Sequence, residues 1–266
     1  ARFPSATQEH VIQAIKEAKS VFKEWSRLDY KERVRIVRRA ADVMSNSKYE
    51  LAALLTYENG KNRYEAIADV DEAIDFMRYY AEEMEVNEGY TRVMKSAYPD
   101  ETCYSVMKPY GVFAVISPFN FPLAITTGMC TAALITGNTV VLKPASDTPL
   151  SAFKLCKIMY EAGLPYGALN LVTGSGSIIG NALVASDDVD GIAFTGSKEV
   201  GLSIYYTSNA KRPKPVIAEM GGKNPTIVSA SADVRKAAEG VARAAFGYSG
   251  QKCSACSRVY VHRSIY

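Results

Sequence analysis

An α/β fold, with a parallel sheet wrapped by helices, is what this sequence predicts, and three observations lead there. From residue 110 onward, short β-branched runs alternate with helical stretches. Each connection between successive runs is long enough for the crossover of about a dozen residues that parallel strands require. Before residue 90 the only periodicity is helical.

Val11, Ile15, Ala18, Phe22 and Trp25 recur at helical steps and share one face. Val34, Val37, Ala41 and Met44 form a second such face. A long charged helix is predicted over 62–85, its charge run facing solvent. Between 91 and 108 two short alternating runs flank Pro99-Asp100, which predicts an antiparallel hairpin. Strands follow at 112–116, 139–142, 169–172, 191–194 and 215–218. Helices are predicted between them, at about 122–136, 150–162, 177–185 and 197–208. A helix at 233–246 and a strand at 258–262 close the chain.

With 266 residues, 48% of them apolar, the chain suffices for one large or two modest cores. A dispersed net charge of +3 argues against a nucleic-acid partner. No apolar run reaches the roughly 18 residues of a membrane span, and the opening residues, Ala1 to Pro4, show no leader pattern. Cysteines stand at 103, 130, 156, 253 and 256, an odd count that predicts free thiols and a reducing compartment. Cys103, Cys130 and Cys156 lie in apolar stretches and are expected to be buried and inert. His10 and His262 are too few to complete a zinc site around Cys253 and Cys256, so no metal is expected.

In parallel sheets ligands gather at the carboxyl ends of the strands. After the first strand, "SPFNFP" holds Asn120 between two prolines, either as a fixed donor for an oxyanion or as a turn asparagine serving local backbone. "LKPAS" places Lys143 and Ser146 after the second strand, a lysine that reaches ribose or phosphate or else points to solvent. "TGSGSIIG", with Gly174, Gly176 and Gly180, departs by one residue from the dinucleotide fingerprint. It still offers bare backbone at a helix start. "FTGSKEVG" makes Ser197 an N-cap beside Gly196. "AEMGGKNP" puts Glu219 at a strand end, as a general base or as a buried salt-bridge partner. "GQKCSACSR" leaves three readings open: half a metal site, a redox pair, or one nucleophile with a neighbour.

Taken together, "PFNFP", "LKPAS", "FTGSKEVG", "EMGGKNP" and "GQKC" resemble the aldehyde dehydrogenase superfamily along the whole chain. "SGQKCSACSR", "GGKNPTIV" and "EAIDFMRYYAEEM" resemble its Δ1-pyrroline-5-carboxylate dehydrogenase branch, which oxidises glutamate γ-semialdehyde to glutamate in proline breakdown. The resemblance implies a Rossmann-like NAD-binding domain over 1–218. Within it, 1–90 would be the N-terminal helices, 91–109 the hairpin of an oligomerisation flap and 110–218 the core. Residues 219–266 would open a second α/β catalytic domain. Family members are longer, so the chain is expected to be the N-terminal part of an enzyme and inactive by itself.

On matching positions the resemblance makes Cys253 the nucleophile and Glu219 the general base. Asn120, with the Cys253 backbone N–H, would form the oxyanion hole. Cofactor contacts would fall on Ile116, Ser117, Phe119, Lys143, Ser146, Gly176, Gly180, Phe194, Gly196, Ser197 and Met220. Phe121, Lys252 and Ser254 would meet the substrate, with Lys252 also a source of thiol activation. Many strictly NAD-using members carry glutamate where this chain has Ser146, so NAD with tolerance for NADP is expected. An aldehyde substrate, a homo-oligomer and a cytoplasmic location, with the mitochondrial matrix as alternative, complete the implication. Competing readings are another semialdehyde dehydrogenase, such as one for succinic semialdehyde, a non-catalytic NAD-binding module, and a thiol–disulfide oxidoreductase at Cys253 and Cys256.

Overall fold

Four helices lead the computed structural model, which describes residues 1–266: α1 (Gln8–Arg27), α2 (Tyr30–Asn46), α3 (Lys48–Asn59) and α4 (Arg63–Val86). The apolar faces read from the sequence bury Val11, Ile15, Ala18 and Trp25 of α1, and Val34, Val37, Ala41 and Met44 of α2. Asp29 caps α2 by accepting from the Lys31 N–H, and Asn62 caps α4 by accepting from that of Glu65. Asp69, on α4, departs from the predicted solvated face, because it is fully buried.

Strands β1 (Thr91–Met94) and β2 (Cys103–Val106) pair antiparallel as the predicted hairpin. Both strands are exposed on both faces, and this overturns the expectation for Cys103, which is exposed. An apolar stretch buries a thiol only where something packs over it, and nothing in this chain covers the hairpin.

After the hairpin the chain alternates β3 (Val112–Ile116), α5 (Ala124–Ile135), β4 (Thr139–Lys143), α6 (Pro149–Glu161), β5 (Leu169–Leu171), α7 (Asn181–Ala185), β6 (Gly191–Gly196), α8 (Lys198–Ser208) and β7 (Val216–Met220). The predicted helix over 177–185 is divided into a π-helical turn, Gly176–Gly180, and α7. The sheet is wholly parallel in the order β5-β4-β3-β6-β7. Strand order therefore reverses between β3 and β6, the switch point at which such sheets bind ligands.

Alternation along β3 feeds two cores. Phe113 and Val115 join Trp25 and the buried faces of α2–α6, while Val112 and Ala114 join Val11 and Ile15 of α1 with Ile179, Leu183 and Phe194 on the other face. Trp25 is 2% exposed, and its indole N–H donates to the Leu134 carbonyl at 3.1 Å. Trp25→Ala is expected to cost about 3–5 kcal/mol through the cavity it leaves and the lost hydrogen bond to Leu134. Urea unfolding measures this, and a change below about 1 kcal/mol would contradict it.

Strand β7 continues through Glu219 and Met220, past the boundary expected after residue 218. Beyond it, β8 (Asn224–Val228) pairs in parallel with β9 (Cys256–Val261), and α9 (Val234–Phe246) lies between them in sequence and buries no side chain. No helix is long and apolar enough to cross a membrane.

Candidate functional site

The sheet register lines up the predicted residues. Ile116 of β3 is level with Lys143 of β4 and with Phe194 of β6. One and two residues further along, Thr195 is level with Glu219, and Gly196 with Met220. The candidates from four strands thus share the carboxyl edge of one sheet.

This edge fits a dinucleotide. The Ser117 hydroxyl, just beyond β3, is buried without a hydrogen-bond partner in the chain. Lys143 is 5% exposed, its ammonium donates to the Pro144 carbonyl at 2.8 Å, and burial lowers its pKa. Gly174 takes φ +142°, and a Cβ there would meet Ile179 at 2.5 Å, so the turn after β5 requires glycine. A Cβ at Gly176 would meet nothing, which leaves bare backbone facing open space. Ser197 caps α8 by accepting from the Val200 N–H, with the helix N-terminus beside Gly196. Gly201 admits Met220 against α8, since a Cβ there would stand 2.7 Å from the methionine sulfur.

Phe194 is buried, whereas Phe119 is 42% exposed. Ser146 is exposed, with its hydroxyl donating to the Gly174 carbonyl at 3.3 Å. A cleft of about 330 Å³ at the ends of β4 and β5 is lined by Pro144, Ser146, Gly174 and Ser175, with Phe3 closing one side. None of Asn120, Glu219 and Cys253 lines it.

Across the edge, the Asn120 loop meets the segment that carries Cys253. The Asn120 side-chain oxygen accepts from the Phe121 N–H at 3.1 Å, and its amide donates to the Gln251 carbonyl at 2.9 Å. One amide hydrogen is left over. The Gly247–Gly250 turn before Cys253 runs through left-handed backbone at Tyr248 (φ 48°), Ser249 (φ 55°) and Gly250 (φ 74°). For Tyr248 and Ser249 such backbone costs on the order of 1–3 kcal/mol each, and it turns the chain sharply toward Asn120. Cys253 and Ser254 are exposed, and the Cys253 backbone N–H makes no backbone hydrogen bond.

Several members of this cluster carried no signal in the sequence. The Asn224 amide donates to the carbonyls of Cys253 at 2.6 Å and Ala255 at 3.2 Å, which fixes the far side of the cysteine. Asn224 lies within "GGKNP", but only the fold shows what its amide reaches. Lys252 pairs with Glu65 of α4 at 2.6 Å and lies 5.6 Å from the centre of the Phe121 ring. Its charge is thereby matched by a carboxylate. Cys256 is half-buried at the start of β9, with its sulfur accepting from the Thr226 hydroxyl at 3.1 Å. Burial raises Cys156 to about 12 and Cys130 well above the ordinary thiol range, so both stay protonated. No group of three or more His, Cys, Asp or Glu side chains is placed to hold a metal ion.

The sequence model of the aldehyde dehydrogenase family matches residues 1–266. A relative from Geobacillus thermodenitrificans (strain NG80-2), named 1-pyrroline-5-carboxylate dehydrogenase, is 45% identical over 271 residues, spanning 100% of this chain and 52% of its own length. The crystal structure of 1-pyrroline-5-carboxylate dehydrogenase from Thermus with bound NAD is 41% identical at a TM-score of 0.94. It covers 98% of this chain and 52% of its own. Proline utilization A (PutA) from Bdellovibrio bacteriovorus is 42% identical at a TM-score of 0.92, over 97% of this chain and 27% of its own. The chain spans about half the length of the curated relatives it matches. The strand-edge motifs, the sheet order and a match over every residue have one reading: the chain belongs to the aldehyde dehydrogenase family.

Proposed function

We propose that the full-length protein oxidises glutamate γ-semialdehyde, the open form of Δ1-pyrroline-5-carboxylate, to glutamate in proline breakdown, with NAD as oxidant. The observation that carries this is the hydrogen bond from Asn120 to the segment carrying Cys253, which leaves Asn120 a spare amide hydrogen two residues from an exposed thiol whose own N–H has no backbone partner. The names of the relatives and the NAD bound in the Thermus structure support the choice of substrate and cofactor.

In this mechanism the Cys253 thiolate adds to the aldehyde carbon. The carbonyl oxygen takes the negative charge and accepts hydrogen bonds from Asn120 and the Cys253 N–H. The cofactor is held along the sheet edge by Ile116, Ser117, Phe119, Lys143, Ser146, Gly176, Gly180, Phe194, Gly196, Ser197 and Met220. Bound there, it supplies the acceptor for the hydride of the aldehyde carbon. The acyl group left on Cys253 is a thioester. Glu219, exposed at the end of β7, takes a proton from the water that attacks it; the C–S bond breaks, and the acid and the thiol are released. Phe121, Lys252 and Ser254 line the approach to Cys253 and contact the substrate. Glu219→Gln is expected to retain acylation and to slow hydrolysis about 10² to 10⁴-fold. Rapid mixing would then show one equivalent of NADH per site followed by a slow phase; a linear trace at the parental rate would remove Glu219 from the reaction.

Steady-state assays of the full-length protein on an aldehyde panel test the substrate. The highest kcat/KM is expected with glutamate γ-semialdehyde, and a higher value with succinic semialdehyde would favour that alternative. NADP is expected to replace NAD at reduced efficiency, because Ser146 offers a neutral hydroxyl that does not repel a 2′-phosphate. Inability to use NADP would refute the tolerance. NAD binding without aldehyde-dependent acylation of Cys253 would indicate a non-catalytic module. The hairpin's exposed Val93, Met94, Tyr104 and Met107 favour a homo-oligomer, which a monomeric mass in solution would contradict.

A further inference from the structure

Lys61 and Asp69 form an ion pair in which neither side chain has any solvent exposure. Burial pushes the Lys61 ammonium down and the Asp69 carboxyl up, against the attraction between them. A buried pair is weak evidence for stability, because desolvation offsets much of the attraction. What the pair holds is more informative.

One Asp69 oxygen accepts from the Lys61 ammonium at 2.7 Å, and the other accepts from the Ala124 backbone N–H at 2.7 Å. Ala124 is the first residue of α5, immediately after the loop that carries Asn120. The Lys61 ammonium stands 3.7 Å from the centre of the Phe121 ring, next in sequence to Asn120. It is 5.2 Å from the ring of Tyr248, in the strained turn leading to Cys253. The turn that carries Lys61 holds both segments again through Asn59. Its carbonyl accepts from the Tyr248 hydroxyl at 2.9 Å, and its amide donates to the Phe119 carbonyl at 3.3 Å. One cation therefore lies between the two loops whose approach defines the candidate site, and its carboxylate partner anchors the end of one of them.

We propose that the buried Lys61–Asp69 pair is a positioning device that sets Asn120 against the Cys253 segment, acting through Phe121, Tyr248 and the first turn of α5. The proposal rests on the assignment of Asn120 and Cys253 to the reaction. Lys61 and Asp69 themselves touch neither substrate nor cofactor.

A double-mutant cycle in the full-length protein tests it, with Lys61→Met, Asn120→Ala and the double variant. Lys61→Met is expected to lower kcat about tenfold or more while the KM for NAD stays within about twofold. The double variant is expected to fall short of the product of the single effects, because Lys61 acts through Asn120. A parental kcat for Lys61→Met, or single effects that multiply in full, overturns the proposal, since a merely structural loss is independent of Asn120. If Lys61→Met does not fold, Tyr248→Leu, which removes the other ring facing the ammonium, takes its place in the cycle with the same expectations. A parental protein without aldehyde-dependent NADH formation would defeat the functional reading, and a second readout then decides on the pair. That readout is the rate at which iodoacetamide alkylates Cys253, expected to change more than about threefold in Lys61→Met and overturning the proposal if unchanged.

Discussion

Cys253→Ala in the full-length protein is expected to lower kcat/KM for aldehyde oxidation by about 10⁵-fold, with NAD affinity preserved. The size follows from the role. A nucleophile that forms and then releases the acyl bond has no substitute in the site, whereas an orienting group leaves the chemistry available at a lower rate. Cofactor affinity is insulated because the residues proposed to hold NAD lie along the sheet edge from Ile116 to Met220, and Cys253 follows α9. Cys256→Ala is the control. Its sulfur accepts from Thr226 within the β8–β9 pair, so the variant should stay within about threefold of the parent. Calorimetric NAD titration beside steady-state rates checks both halves. Turnover surviving in Cys253→Ala within tenfold of the parent would assign the nucleophile elsewhere, and equal losses in both variants would reopen the dithiol reading.

Asn120→Ala is expected to reduce kcat by about 10² to 10³-fold, the usual effect of losing one preorganised oxyanion donor. Preorganisation is visible in how the amide is held. Its oxygen is fixed by the next backbone N–H and one hydrogen by the Gln251 carbonyl, so the remaining hydrogen has a set direction before any substrate arrives. Asn120→Asp keeps the shape but replaces the donor by an acceptor, and it should be at least as damaging as alanine. The KM for NAD should change little in either variant. Unchanged turnover in Asn120→Ala would take the residue out of the site, and a loss confined to the KM for aldehyde would make it a binding group.

Much of the fold is legible because its signals are local. The strands read at 112–116 and 139–142 are found at Val112–Ile116 and Thr139–Lys143, where continuous β-branched runs match burial on both faces. The α1 and α2 faces are equally plain, as alternating three- and four-residue steps fit a helix and no strand. Strand ends are less so: β7 extends over Glu219 and Met220 because β6 still pairs with it there, and the sequence carries no mark of where a neighbour stops. Exposure of Cys103 has the same origin, since what covers a hairpin is not written in the hairpin. The strand-edge candidates follow from motif order, whereas Lys61, Glu65, Asp69 and Asn224 do not. Glu65 and Lys252 are separated by 187 positions, and a salt bridge between distant charges leaves no periodicity to read.

Strand β7 has a further consequence, for tolerance to length changes. Glu219 is exposed while its neighbour Met220 packs toward the core beside Phe194 and Ile204, as alternation along a strand requires. The two residues therefore point to opposite faces on adjacent rungs, with the candidate base on one side and the candidate cofactor contact on the other. Deleting or inserting a single residue within Val216–Met220 would exchange the two sides, leaving a carboxylate against apolar packing and a thioether where the water-activating group belongs. The segment 209–214 between α8 and β7 carries no such alternation, so insertions and deletions accumulated by relatives should collect there and spare the strand.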